Sequence, residues 1–102
     1  MEMKNNSAIS LFMREKPVRL LLSLRTTDKK AKYVSTLSRD INCTYSHTVR
    51  LLDEFKALGL VKFMKISRVK YVELTEEGKD LVHQLEGVVR NLSKISFGKE
   101  GK

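Results

Sequence analysis

The stretch from Tyr45 to Leu58 limits what this chain can fold into more than any other. On a wheel of about 100° per residue, Thr48, Leu51, Leu52, Phe55 and Leu58 gather on one side, and Ser46, His47, Arg50, Asp53, Glu54 and Ala57 on the other. A stripe of that width predicts a helix with one buried face and one face in water. Gly59 follows at once, and glycine tolerates the left-handed conformation that ends a helix. Upstream, "KYVSTLSRDI" places Val34, Leu37 and Ile41 at spacings of three and four, the stripe of a short amphipathic helix. Between the two lies only "NCT", with Asn42 suited to a helix end and Thr44 suited to cap the next helix through its hydroxyl. Two helices joined so tightly must cross and bury their apolar faces together.

The flanking segments are read in the same way. "LVKFMKISRVKYVEL" is rich in Val, Ile, Phe and Tyr and reverses near Ser67 and Arg68, which predicts a β-hairpin. "LTEEGKDLVHQLEGVVRNLSKI" predicts a long closing helix, with Thr75 as N-cap and Glu76 and Glu77 at the positive end of its dipole. "PVRLLLSLR" predicts an earlier apolar helix with Pro17 in its first turn. "SAISLFM" has no clean period, and a helix is favoured there without being fixed. "TTDKKAK" is a polar connector, with room for a brief strand at Ala31 to Tyr33. The fold class is therefore mainly α with a small β-hairpin, an α+β arrangement in one small domain.

Charge narrows the function. The formal net charge is +8, the footprint of a nucleic-acid binder, although a basic ribosomal or membrane-surface protein would share it. Residues 14 to 32 carry seven basic and two acidic side chains, and residues 61 to 72 carry Lys62, Lys65, Arg68 and Lys70 with no acid. No apolar run approaches the roughly 20 residues needed to cross a bilayer, and the N-terminus lacks a signal-peptide layout, so a soluble cytoplasmic protein with no membrane partner is expected. A lone cysteine cannot form an internal disulfide, in keeping with that compartment.

The polar face of the helix at 45 to 58 divides along its length. Ser46, His47 and Arg50 lie near its N-terminus, and Asp53 and Glu54 lie further on. A helix entering the major groove presents its N-terminal residues to base edges, where Arg donates twice to guanine, and Tyr45 on the flank can reach a phosphate. The run "YVSTLSRDINCTYSHTVRLLDEFKALGLV" followed by "KYVELTEEG" resembles the winged helix-turn-helix domains of small MarR-like and related archaeal transcription regulators, over roughly residues 17 to 85. The resemblance implies double-stranded DNA as partner, Thr44, Tyr45, Ser46, His47 and Arg50 as readers in the recognition helix, and Lys65, Arg68 and Lys70 as wing contacts. The chain as a whole divides into an N-terminal segment at 1 to 16, helix-turn-helix plus wing at 17 to 74, a dimerisation helix at 75 to 96 and a flexible tail at 97 to 102. Two departures stand out: relatives often have Gly at the wing tip where this chain has "ISRVK", which predicts a short wing, and the recognition helix is net neutral, so phosphate affinity must come from elsewhere.

Cys43 and His47 are spaced like neighbouring metal ligands, but a structural zinc takes four, and the chain offers one Cys and one further His, His83. No metal, cofactor or catalytic residue is expected, and Cys43 reads as a small apolar turn residue, with redox sensing as the sharper alternative. In the last helix Leu81, Leu85, Val88, Leu92 and Ile95 recur at spacings of four, three, four and three. That heptad-like seam runs past what so small a domain can cover and predicts a homodimer, joined by the "AISLFM" segment. No effector is identifiable. Two other readings remain open: an architectural, chromatin-like DNA-coating protein, and a winged helix used as a protein-interaction adaptor.

Overall fold

A computed structural model of the protein describes residues 7–100. In chain order the elements are α1 (Ser7–Phe12), α2 (Glu15–Ser23), a 3-10 turn (Lys29–Lys32), α3 (Val34–Asp40), α4 (Tyr45–Ala57), β1 (Val61–Ile66), β2 (Val69–Leu74) and α5 (Glu76–Glu100). The order expected from the sequence stands, and the segment left undecided is a helix. Pro17 is the third residue of α2 rather than its first, still within the turn where no backbone N–H is needed.

Apolar stripes explain where the core sits. Leu20 and Leu21 of α2, Leu37 and Ile41 from α3 and its end, and Leu51 and Phe55 of α4 are each at most 1% exposed. Val61 and Val72 close the core from the hairpin, Val82 from α5 and Leu11 from α1. Phe12 stacks on Phe55 with ring centroids 5.5 Å apart, which ties α1 to α4. Burying each Leu or Phe side chain stabilises by about 1.5–3 kcal/mol, so these positions dominate the energetics.

The turn between α3 and α4 is held by local and distant bonds. Asn42 adopts a φ of 57°, the left-handed conformation that ends α3. The Cys43 N–H donates to the Ser38 carbonyl at 2.9 Å, and the Thr44 hydroxyl accepts from the His47 N–H at 3.2 Å as the cap of α4. Lys16, from α2, donates to the Ile41 carbonyl at 2.6 Å and to that of Asn42 at 3.4 Å. A cation thus satisfies the negative end of α3.

A second junction sits where hairpin meets α5. Gly59 has a φ of 78° and ends α4. The Thr75 hydroxyl donates to the Gly59 carbonyl at 2.6 Å and accepts from the Gly78 N–H at 3.1 Å, while the Thr75 N–H donates to the Leu60 carbonyl at 2.9 Å. Gly78 lies so close that a Cβ there would overlap the Leu60 carbonyl oxygen and stand 3.1 Å from Leu74 Cδ2.

Two expectations are corrected. Ala31 to Tyr33 is not a strand: Lys29–Lys32 form the 3-10 turn, capped by Asp28, and only Tyr33 makes a bridge, to Tyr71. Too few residues extend there to build a ladder. Leu58 is not buried on the α4 stripe but 41% exposed, because it is the C-cap and the backbone turns away there. Helix α5 runs through Glu100. Residues 1–6 of the N-terminal segment and 101–102 of the tail lie outside the described residues.

Candidate nucleic-acid interface

The exposed edge of α4 begins at its cap. Tyr45, Ser46 and Arg50 are exposed and His47 is half-buried. Among the described residues Arg50 has no carboxylate or carbonyl partner, so its five donors face solvent. Thr44 has its hydroxyl oxygen committed to the His47 N–H, which leaves it one proton to give outward. Cys43 is half-buried and packs against the core, the position of a small apolar residue in the turn.

The hairpin pairs residues 61–66 with 69–74 in antiparallel register, Val61 opposite Leu74 and Ile66 opposite Val69, around a two-residue turn. Ser67 in that turn has a φ of 55°, a left-handed conformation that glycine adopts most readily. Alternation puts Phe63, Val72, Lys65 and Lys70 on the face turned to the core and α4. Lys65 stands directly opposite Lys70. Two like charges facing each other across a ladder are destabilising by several tenths of a kcal/mol, and with Lys62 and Arg68 they make four exposed cations that lack an acidic partner among the described residues.

Helix and hairpin meet at a hollow lined by Val34, Tyr45, Val49, Asp53, Phe63 and Lys70. It brings Tyr45 of the helix and Lys70 of the hairpin to one concave surface, while Lys65 and Arg68 lie further out on the strands and turn. Asp53, expected away from this end, lines the same hollow.

Other features had no signal in the sequence. Lys32, read as part of a polar connector, is 4% exposed, with its Nζ 3.0 Å from Glu73 Oε1 on β2. Lys29 stands 5.6 Å from the Tyr71 ring centroid. Together with the Tyr33 bridge, these contacts brace the hairpin against the segment that leads into α3. The residues are 41 positions apart in the case of Lys32 and Glu73, and no local pattern links them.

The seam of α5 divides. Leu81 and Leu85 are half-buried and pack against the core, whereas Val88, Leu92 and Ile95 are 53%, 59% and 57% exposed. Beside them runs an apolar groove of about 890 Å³ lined by Phe12, Met13, Val18, Leu22, Leu85 and Leu92 among others. Among the described residues no helix is long and apolar enough to cross a membrane.

No protein-family model matches the sequence, and no curated protein matches it significantly. Solved structures do. AF1382 from Archaeoglobus fulgidus superposes with a TM-score of 0.69 at 18% identity over 83% of this chain and 96% of its own. SPO1453 from Silicibacter pomeroyi, a MarR family transcriptional regulator, gives 0.74 at 24% identity over 91% of this chain and 67% of its own. The fold is a MarR-like winged helix. Sso10a-2 from Sulfolobus solfataricus, a DNA-binding protein, gives 0.64 at 19% identity over 86% and 92%. In this winged helix α3 and α4 are the helix-turn-helix pair, and β1 with β2 is the wing.

Proposed function

We propose that this winged-helix protein is a dimeric cytoplasmic transcription regulator, not an enzyme, that binds double-stranded DNA at preferred sequences. The observation that carries the reading is the hollow shared by α4 and wing, which brings Tyr45 and Lys70 together, with an unpaired Arg50 exposed on the same helix and Lys65 on the same face of the hairpin as Lys70. In this reading Thr44, Tyr45, Ser46, His47 and Arg50 read the major groove, with Arg50 donating to a guanine edge. Lys65, Arg68 and Lys70 meet phosphates or the adjacent minor groove. Since α4 carries two cations and two anions, Arg50 and Lys56 against Asp53 and Glu54, the wing supplies most of the salt-dependent affinity, about 0.9 in the log–log slope for each phosphate neutralised.

The second copy is assigned to α5. Val88, Leu92 and Ile95 continue the seam of Leu81 and Leu85 beyond the protomer's own core, beside the α1–α2 groove. An uncovered apolar surface of this kind marks an interaction site, and a two-fold axis there would present two recognition helices to a palindrome with half-sites one helical turn apart.

A second reading, an architectural protein that coats DNA with little sequence preference, is favoured by the neutral charge of α4 and by the likeness to Sso10a-2. Selecting bound duplexes from a random pool separates the two. A regulator enriches one symmetric motif, a coating protein enriches none, and failure to retain any duplex at low salt would remove both.

A further inference from the structure

The wing tip carries more apolar surface than a hairpin needs. Ile66 and Val69 are each 42% exposed and Met64 is 37% exposed. Ile66 and Val69 are the last cross-strand pair before the turn, and Met64 lies two residues behind Ile66, so all three share the face opposite Lys65 and Lys70. Further back on that face Tyr71 is covered by the Lys29–Lys32 segment, and Glu73 holds Lys32. The strip at the tip has no such cover. Thr would serve the strand as well as Val or Ile does, so strand formation alone does not account for an apolar pair in water.

Its surroundings restrict what can cover it. Lys62 shares the strip's face, Arg68 stands at the apex, and Lys65 and Lys70 project from the other face of the same strands, with no acid between residues 61 and 72. A partner must offer dense negative charge around a narrow apolar slot. The minor groove of DNA does so: phosphates line its rims, sugars its walls and base edges its floor, and apolar base faces are reached when a step is opened.

We propose that the wing tip is a wedge, in which Ile66 and Val69, backed by Met64, press into the minor groove and bend the duplex. The proposal rests on the DNA-binding reading above and deepens it. Paired strands are about 4.8 Å apart before side chains are counted, so a tip bearing two branched side chains is wider than the minor groove at about 6 Å. Entry requires the groove to open, and opening it by partial unstacking kinks the helix toward the major groove by about 20–90° in proteins that use apolar wedges. Ile and Val suit that task because β-branching leaves them few rotamers to lose. Arg68 and the lysines hold the rims while the wedge enters.

The test uses the full chain and a selected duplex labelled at both ends for energy transfer, with 2-aminopurine at the steps beside the recognition-helix site. The wild type should shorten the end-to-end distance and raise 2-aminopurine emission. I66S/V69S should still bind, with its salt slope unchanged and its affinity lower, but should lose both the shortening and the emission rise. K65A/K70A, at saturating protein, should keep the bend while its salt slope falls by about 2. Bending by I66S/V69S equal to wild type overturns the wedge while leaving DNA binding intact. It is equally overturned if the double variant bends DNA normally but changes the sedimentation of the free protein, which would assign the strip to a second copy, or loses binding to phosphatidylserine vesicles, which would assign it to a membrane. If the wild type binds no duplex at all, the DNA-binding reading fails first and takes the wedge with it.

Discussion

Helix α5 contains two glycines for which the same substitution should have opposite effects. At Gly87 a Cβ would meet nothing within 4 Å, whereas at Gly78 it would overlap the Leu60 carbonyl oxygen. Alanine in a helix interior is favoured over glycine by about 0.5–1 kcal/mol, so Gly87→Ala should stabilise the protomer by that amount. At Gly78 the same gain is opposed by an overlap with backbone, which cannot rotate aside as a side chain would. Overpacking of this kind costs about 1–3 kcal/mol. Moving Leu60 also loosens its bond from the Thr75 N–H, about 0.5–1.5 kcal/mol more, so Gly78→Ala should destabilise by roughly 0.5–4 kcal/mol after the helix gain is subtracted. For a domain of this size each kcal/mol shifts Tm by about 4–8 °C. Thermal unfolding followed by circular dichroism should therefore show Gly87→Ala a few degrees above wild type and Gly78→Ala about 2–30 °C below. The two variants should behave alike only if α5 does not sit against Leu60 as described, and an unchanged Tm for Gly78→Ala would refute the reasoning.

Arg50→Ala should reduce discrimination between the selected site and random DNA by about 1–3 kcal/mol, read by competition binding, with less change in non-specific affinity. Arg68→Ala and Lys70→Ala should each weaken binding to all sequences and lower the salt slope by about 1. Leu92→Asp with Ile95→Asp should convert a dimer to a monomer in sedimentation velocity without unfolding it, since both side chains are already more than half exposed in the protomer. Arg25, 2.7 Å from Glu86, holds the Glu86 carboxyl below the ordinary carboxylate range. A depressed group contributes stability that is present above its unfolded value and lost as pH falls. Arg25→Gln should therefore raise the Glu86 midpoint in an NMR titration and flatten that part of the acid profile.

The helix-turn-helix was legible because its information is local. The stripes of α3 and α4, the caps at Asn42, Thr44 and Gly59 and the hairpin reversal at Ser67 all lie within a few residues of what they control. What escaped depends on contacts made across the chain. Lys32 looks like a solvated connector until Glu73 arrives beside it, and Lys16 looks like a surface charge until the end of α3 lies against it. Gly78 reads as an ordinary position near a helix start, and only the approach of Leu60 makes its missing side chain necessary. Leu58 fits the apolar wheel, yet the wheel carries no information about where the backbone leaves the helix. The candidate DNA-facing residues were legible as chemistry, but the nearness of Tyr45 to Lys70, and of Asp53 to both, comes only from how wing and helix pack.

The bonds of Thr75 to Gly59 and Leu60 make the wing a closed loop, fastened at its base across a separation of 16 residues. Whatever happens at the tip, beyond Phe63 and Val72, need not reach α4 or α5. Residues added or removed in matched pairs at the tip would keep every inward side chain inward and alter only how far the loop extends. Wing length and tip chemistry are thus free to diverge from one descendant of this chain to the next while the core that holds the recognition helix stays the same.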